Sequence, residues 1–169
     1  MSDLGFDIRP ARPDDLGAIR SMIRELAAFE RLDHLCVATE SDLATALFGP
    51  RPAAEVLIAA KDDDVAGFAL FFHNFSTFLG RRGLWLEDLY VRPEYRRQGC
   101  AQALLGTLAA LARDRDCGRF EWAVLNWNTQ AIDFYEALGA SVLPDWRIVR
   151  VTGQSLAALC DPAPGDAAR

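Results

Sequence analysis

Several sites that are easy to see in a sequence are missing from these 169 residues. The four cysteines, Cys36, Cys100, Cys117 and Cys160, form no C-x-x-C pair, and no His/Cys cluster has zinc spacing. No metal site is expected, and isolated thiols fit a reduced, cytoplasmic setting better than a disulfide scaffold. No apolar run approaches the ~20 residues that cross a bilayer, and MSDLGFDIRP lacks the apolar stretch of a secretory leader. No membrane partner is therefore expected. There is no G-K-[ST] phosphate loop and no G-x-G-x-x-G dinucleotide fingerprint. Positive charge is in deficit: 18 Lys and Arg against 24 Asp and Glu leave a net charge of −6. That balance argues against a general nucleic-acid binder and suits a cationic substrate.

What remains is a chain with 51% hydrophobic residues, enough to build one core at this length. With no internal repeat and no second composition regime, residues 1–169 read as a single domain, 161–169 forming a frayed tail. The patterning predicts a strand over Phe6–Arg9 and a helix whose apolar face is Leu16, Ile19, Ile23, Leu26 and Ala27, ending near Glu30. Thr39, with Asp42 three residues on, predicts a capped helix over Glu40–Phe48. Strands follow at Glu55–Lys61 and Val65–Asn74, joined by a turn at Asp62–Asp64. Phe75–Arg82 reads as a loop carrying Phe78, and Leu84–Val91 as the central strand. A helix over Arg97–Asp114, a strand over Arg119–Leu125 and a helix over Thr129–Leu138 closed by Gly139 come next. A last strand, Trp146–Val151, and a short helix, Ser155–Leu159, complete the order. Strict βαβ alternation is absent. The expected fold is therefore α/β with a mixed sheet of about six or seven strands, helices on both faces and one parallel crossover between residues 84 and 125.

The stretch Leu84–Leu111 organises the rest. A strand, LWLEDLYV, runs through a basic, glycine-bearing turn into a helix with Leu104, Leu105, Leu108 and Leu111 on one face. The first helical N–H groups lack internal partners and the helix dipole favours negative charge there. Arg96, Arg97, Gln98, Gly99, Cys100, Ala101 and Gln102, an R-x-x-G-x-A pattern, are thus expected to cradle phosphate.

EDLYVRPEYRRQGCAQALL followed by NWNTQAIDFYEALGAS resembles the GNAT acetyltransferase superfamily, and within it the diamine, polyamine and thialysine acetyltransferases. The likeness runs from about Ile8 to Leu159. It includes IRPA, IRELAAFE, LEDLYV and the Trp146-Arg147 pair. It implies acetyl-coenzyme A as donor and a small amine as acceptor, transferred directly in a ternary complex, and a homodimer. Under the resemblance, backbone at Leu89, Tyr90 and Val91 carries the pantetheine arm, which needs the neighbouring parallel strand to splay away. Asn128, Thr129, Gln130 and Ala131 also touch the cofactor. Tyr135, which by pattern alone is a core aromatic beside Ile132, Phe134 and Leu138, becomes the general acid that protonates the departing thiolate. Glu87 becomes the carboxylate that takes the amine proton. Phe29, Glu30, Glu121, Trp122 and Ala123 line the acceptor.

Glu87 and Asp88 are adjacent on a strand, so only one faces the substrate unless a bulge intervenes. His73, within a buried run, reads as a satisfied core histidine; Cys100 reads as helix packing. Departures from the polyamine pattern include Ala101 and Arg97 where glycines stand, Glu136-Ala137 in place of a basic pair, a shorter Val142–Asp145 segment, and Phe78 in place of tryptophan. Acceptors consistent with the pattern are diamines, polyamines or lysine-like amino acids. The rivals are a peptide or aminosugar acceptor, or a non-catalytic coenzyme-A-binding module.

Overall fold

The computed structural model describes residues 5–62 and 64–160; the expected tail at 161–169 and Asp63 of the expected turn lie outside the described residues. The chain divides into two units, Met1–Ala123 and Val124–Arg169. The first is built on a sheet of five strands in the order β1-β2-β3-β4-β5. These are β1 Asp7–Pro10, β2 Glu55–Lys61, β3 Asp64–Ser76, β4 Arg81–Val91 and β5 Phe120–Trp122. Neighbours β1 to β4 are antiparallel, and β5 joins β4 in parallel after the helix α3, Cys100–Asp114. This is the mixed α/β sheet and the crossover that the patterning predicts.

Two helices, α1 (Leu16–Phe29) and α2 (Glu40–Phe48), serve one face. Phe68 and Tyr90 stand opposite each other across the β3–β4 ladder and pack with Val56, Ile58, Ile19, Met22 and Leu47. The other face carries Phe71, Leu84 and Leu86, and α3, with Leu104 and Leu108 fully buried, packs on β3 and β4. Each such side chain contributes about 1.5–3 kcal/mol of apolar burial. Arg9 pins β1 to the start of α1: its guanidinium donates to both carboxylate oxygens of Asp15, at 2.7 and 2.8 Å. Asp15 also accepts from the Arg12 backbone N–H at 2.7 Å, and these donors hold its carboxyl below the usual range. At α2 the capping box forms as expected, Thr39 N–H donating to Asp42 Oδ2 at 2.9 Å and Asp42 N–H to Thr39 Oγ1 at 3.2 Å.

Four expectations are corrected. The loop expected over Phe75–Arg82 shrinks to a turn over residues 77–80: β3 reaches Ser76 and β4 starts at Arg81, with Phe75 opposite Arg82. The long helix starts at Cys100, not Arg97, because Arg97 (φ 59°) and Gly99 (φ 85°) are left-handed and cannot continue a right-handed helix. Strand β5 spans Phe120–Trp122 rather than Arg119–Leu125. Among the described residues Trp146–Val151 forms no strand, which leaves five strands instead of six or seven. Its aromatic and β-branched residues supply propensity only, and a strand also needs a partner to accept its ladder hydrogen bonds.

The second unit carries α4, Thr129–Ala137, and α5, Gly153–Cys160. Gly139 (φ 90°) closes α4 as expected: its N–H donates to Glu136 O at 2.9 Å and the next N–H, of Ala140, to Tyr135 O at 3.0 Å.

Candidate functional site

At the end of β4 the chain makes a 3-10 turn, Pro93–Tyr95, then the left-handed steps at Arg97 and Gly99 into α3. Such alternation turns backbone N–H groups into a concavity, and the helix start adds its own unpaired donors. Gly99 is the N-cap, and a side chain there would be strained at its φ of 85°. Two braces fix the turn from outside. Gln98 Oε1 accepts from Lys61 Nζ at 2.8 Å while its Nε2 donates to Glu94 O at 2.8 Å. Tyr95 Oη donates to Asp64 at 3.0 Å. Lys61 was not visible in the pattern as part of this region, because only the β2–β3 hairpin brings it here. Arg96, though exposed, folds back on the strand: Nε donates to Val91 O at 2.9 Å and the guanidinium lies 5.5 Å from both the Phe29 and Tyr90 ring centroids. Cys100 is buried, and burial pushes its thiol up to about 11, so it packs as an inert side chain.

Strand β4 has two kinds of edge. Leu84, Trp85 and Leu86 pair with Phe120, Glu121 and Trp122 of β5. From Glu87 to Val91 no residue of β5 continues the ladder, so Leu89, Tyr90 and Val91 keep β3 as their one strand partner. The Val91 carbonyl is already engaged by Arg96.

Between these halves the register to β3 slips. Leu86 stands opposite Phe71 and Asp88 opposite Leu70, so Glu87 has no partner and forms a bulge. Asp88 shares a face with Tyr90, the face that α1 covers. Glu87 lies on that face too, since its Oε2 accepts from Trp85 Nε1 at 2.8 Å and Trp85 is paired to Phe72, in phase with Leu70. The bulge therefore turns both carboxylates to one side, while Leu86 and Leu89 meet the other. Helix α1 ends at its C-cap Glu30. Burial, then Glu87, then Glu30 push the Asp88 carboxyl up to about 6. Burial also raises Glu30. Phe29, 45% exposed, stands beside Arg96. The sequence brought Glu30 and Glu87 forward; it missed Trp85, whose signal was its i, i+2 spacing to Glu87, and it left Asp88 unassigned because the bulge is a property of pairing.

On β5, Glu121 is held by Arg119 Nε at 2.7 Å and by Asn74 Nδ2 at 3.2 Å, and the Trp122 ring packs 4.9 Å from Phe120; Ala123 is exposed. In the second unit Asn128 caps α4, its Oδ1 accepting from Ala131 N–H at 3.3 Å, with Thr129 and Gln130 exposed beyond it. Tyr135 is half-buried, its ring 5.5 Å from Phe134. His73 departs from expectation: its Nε2 is buried with no hydrogen-bond partner among the described residues, and burial lowers the imidazole. Among the described residues no group of three His, Cys, Asp or Glu side chains stands close enough to hold a metal, and no helix is long and apolar enough to cross a membrane.

The acetyltransferase (GNAT) family model matches residues 21–140. An L-ornithine N5-acetyltransferase of Arabidopsis thaliana is 36% identical, covering 90% of this chain and 86% of its own. A thialysine N-epsilon-acetyltransferase of Bos taurus is 38% identical, over 88% and 94%. An integron cassette protein from the mobile metagenome of V. cholerae superposes with a TM-score of 0.78 at 26% identity, over 93% of this chain and 98% of that one.

Proposed function

The chain belongs to the GNAT acetyltransferase family, and on that premise we propose that it moves an acetyl group from acetyl-coenzyme A to a primary amine of a small cationic acceptor. The observation that carries the acceptor class is the bulge at Glu87, which puts Glu87 and Asp88 on one face of the sheet, where Glu87 and Glu30 both act on the Asp88 carboxyl. Three carboxylates grouped beside an open strand edge suit a molecule with two positive charges or a lysine-like side chain. The named activities of the relatives, on ornithine and thialysine, support the same class.

The turn fits the donor's phosphates: left-handed steps at Arg97 and Gly99 open a concavity at a helix N-terminus. Backbone N–H groups from Arg97 to Gln102 are assigned to the pyrophosphate, and the edge at Leu89, Tyr90 and Val91 to the pantetheine arm. Arg96 serves more by bracing Phe29 and Tyr90 than by direct charge. Asn128, Thr129, Gln130 and Ala131 are assigned further contacts to the same molecule. When bound, acetyl-coenzyme A supplies an activated thioester. The chain supplies the proton handling. An ammonium group, with a pKa near ~10, arrives charged and must lose a proton before it can attack. Glu87 accepts it, directly or through water, while Asp88, Glu30 and Phe29 hold the rest of the acceptor. The Tyr135 phenol gives its proton to the departing sulfur. Glu121, Trp122 and Ala123 are assigned to the far wall of the acceptor site.

We take the working form to be a cytoplasmic homodimer in which both units act as one domain; the family match across residues 21–140 supports the single-domain reading. A thiol-release assay over ornithine, lysine, thialysine, diamines, polyamines, a short peptide and an aminosugar tests the acceptor. Turnover is expected with the diamines or the lysine-like amino acids. Turnover confined to peptide or aminosugar overturns the acceptor class, and none with any amine favours a binding module.

A further inference from the structure

We propose that Trp85 is a positioning residue for this reaction, fixing the carboxylate of Glu87 through its indole N–H. The inference rests on the reading of Glu87 as the group that takes the amine proton. Trp85 Nε1 donates to Glu87 Oε2 at 2.8 Å. The indole N–H is a donor with no acceptor capacity, which matches it to a carboxylate oxygen. It also engages one oxygen and leaves Oε1 for the acceptor.

The surroundings explain why such a device is needed. Glu87 is the unpaired residue of the bulge and is exposed, so neither ladder nor packing restrains its rotatable side chain. Trp85 is half-buried and paired across to Phe72, which gives the donor a fixed base. The charged groups facing this part of β4 are Asp88 beside it, Glu30 at the end of α1, and, around Tyr90, Glu25, Arg92 and Arg96. Asp88, which feels both Glu87 and Glu30, is acidic and opposes further negative charge there. A neutral donor at 2.8 Å counters that repulsion without introducing a cation that would repel the ammonium substrate.

Trp85→Phe keeps a flat ring and removes the N–H. Its kcat is expected to fall about 3- to 10-fold near neutral pH, as for a reacting group that has lost its alignment. The donor KM should stay unchanged. The same substitution in a Glu87→Gln background should have little further effect, since its action runs through that carboxylate. Equal losses in both backgrounds, or a rise in the donor KM alongside the fall in kcat, would reduce Trp85 to packing and overturn the proposal. Full turnover by Glu87→Gln itself would instead sink the Glu87 reading, so the two failures are distinguishable. A measurement on the unmodified ring guards against a Phe variant that does not fold: one indole N–H resonance should move between the native protein and Glu87→Gln. If no indole resonance moves, the proposal fails.

Discussion

The two halves of β4 are made of one continuous strand and do different work. Leu84–Leu86 is paired on both sides, to β3 and β5, and its leucines are buried under α3. Asp88–Val91 is paired to β3 alone, and Glu87 and Asp88 at its start put two carboxylates on one face. One bulged residue separates them. Full pairing makes the first half a support; withdrawal of β5 leaves the second half with an edge that β5 does not cover and side chains that a sheet interior would not tolerate. The difference shows how a scaffold strand becomes a site: a slip of register re-aims two side chains, and an early end to the neighbouring strand opens an edge.

Substitutions on either side of the bulge should separate activity from stability. Glu87→Gln should lower kcat/KM by ~100-fold or more at neutral pH, the range typical of a lost acid–base group, with a melting temperature close to the native one. A loss under threefold in steady-state assays would remove the assignment. Leu86→Ala should do the reverse. It deletes a side chain 2% exposed and should cost about 2–4 kcal/mol in urea unfolding, while the protein that remains folded keeps most of its kcat.

The support half was more legible in the sequence than the site half, for physical reasons. Leucines 84 and 86, the capping box at Thr39 and Asp42, and the strand Glu55–Lys61 are coded by local pattern, and the last two spans formed with the expected bounds. The phosphate turn was legible because Gly99 and the helix after it are neighbours in sequence. The bulge was not, because it exists only in the register between β3 and β4, where Phe71 meets Leu86 and Leu70 meets Asp88, residues 15 and 18 positions apart. The β3–β4 hairpin was read too short for the same reason: Phe75 and Ser76 look like loop until the ladder to Arg82 and Arg81 is known, while Phe78 and Leu79 do lie in the turn. The strand expected at Trp146–Val151 failed in the opposite sense, propensity without a partner.

A third substitution probes the end of the open half. Gly99→Ala forces a side chain into a left-handed position at φ 85°. It should cost about 1 kcal/mol of stability and raise the KM for acetyl-coenzyme A about tenfold, with the KM for the amine nearly unchanged. Equal rises in both would detach the turn from the donor.

The smallest effect is the most specific to the comparison, because it asks whether the site half is held at a cost. Asp88 is pushed up to about 6, mainly by burial and then by Glu87 and Glu30. A carboxyl whose folded value lies above its unfolded one contributes stability when protonated, below about pH 4, and that contribution is lost as pH rises through about 6. Native protein should therefore weaken between pH 4 and 6 by about 1–2 kcal/mol, allowing for partial solvent screening. Asp88→Asn mimics the protonated acid and should erase that decline. It should unfold at higher urea than the native protein at pH 7 and at the same urea near pH 4, while its KM for a dicationic acceptor rises. Equal unfolding midpoints at pH 7 would mean that the charge on Asp88 is comfortably solvated. The second half of β4 would then differ from the first in pairing alone, with no charge held there against stability.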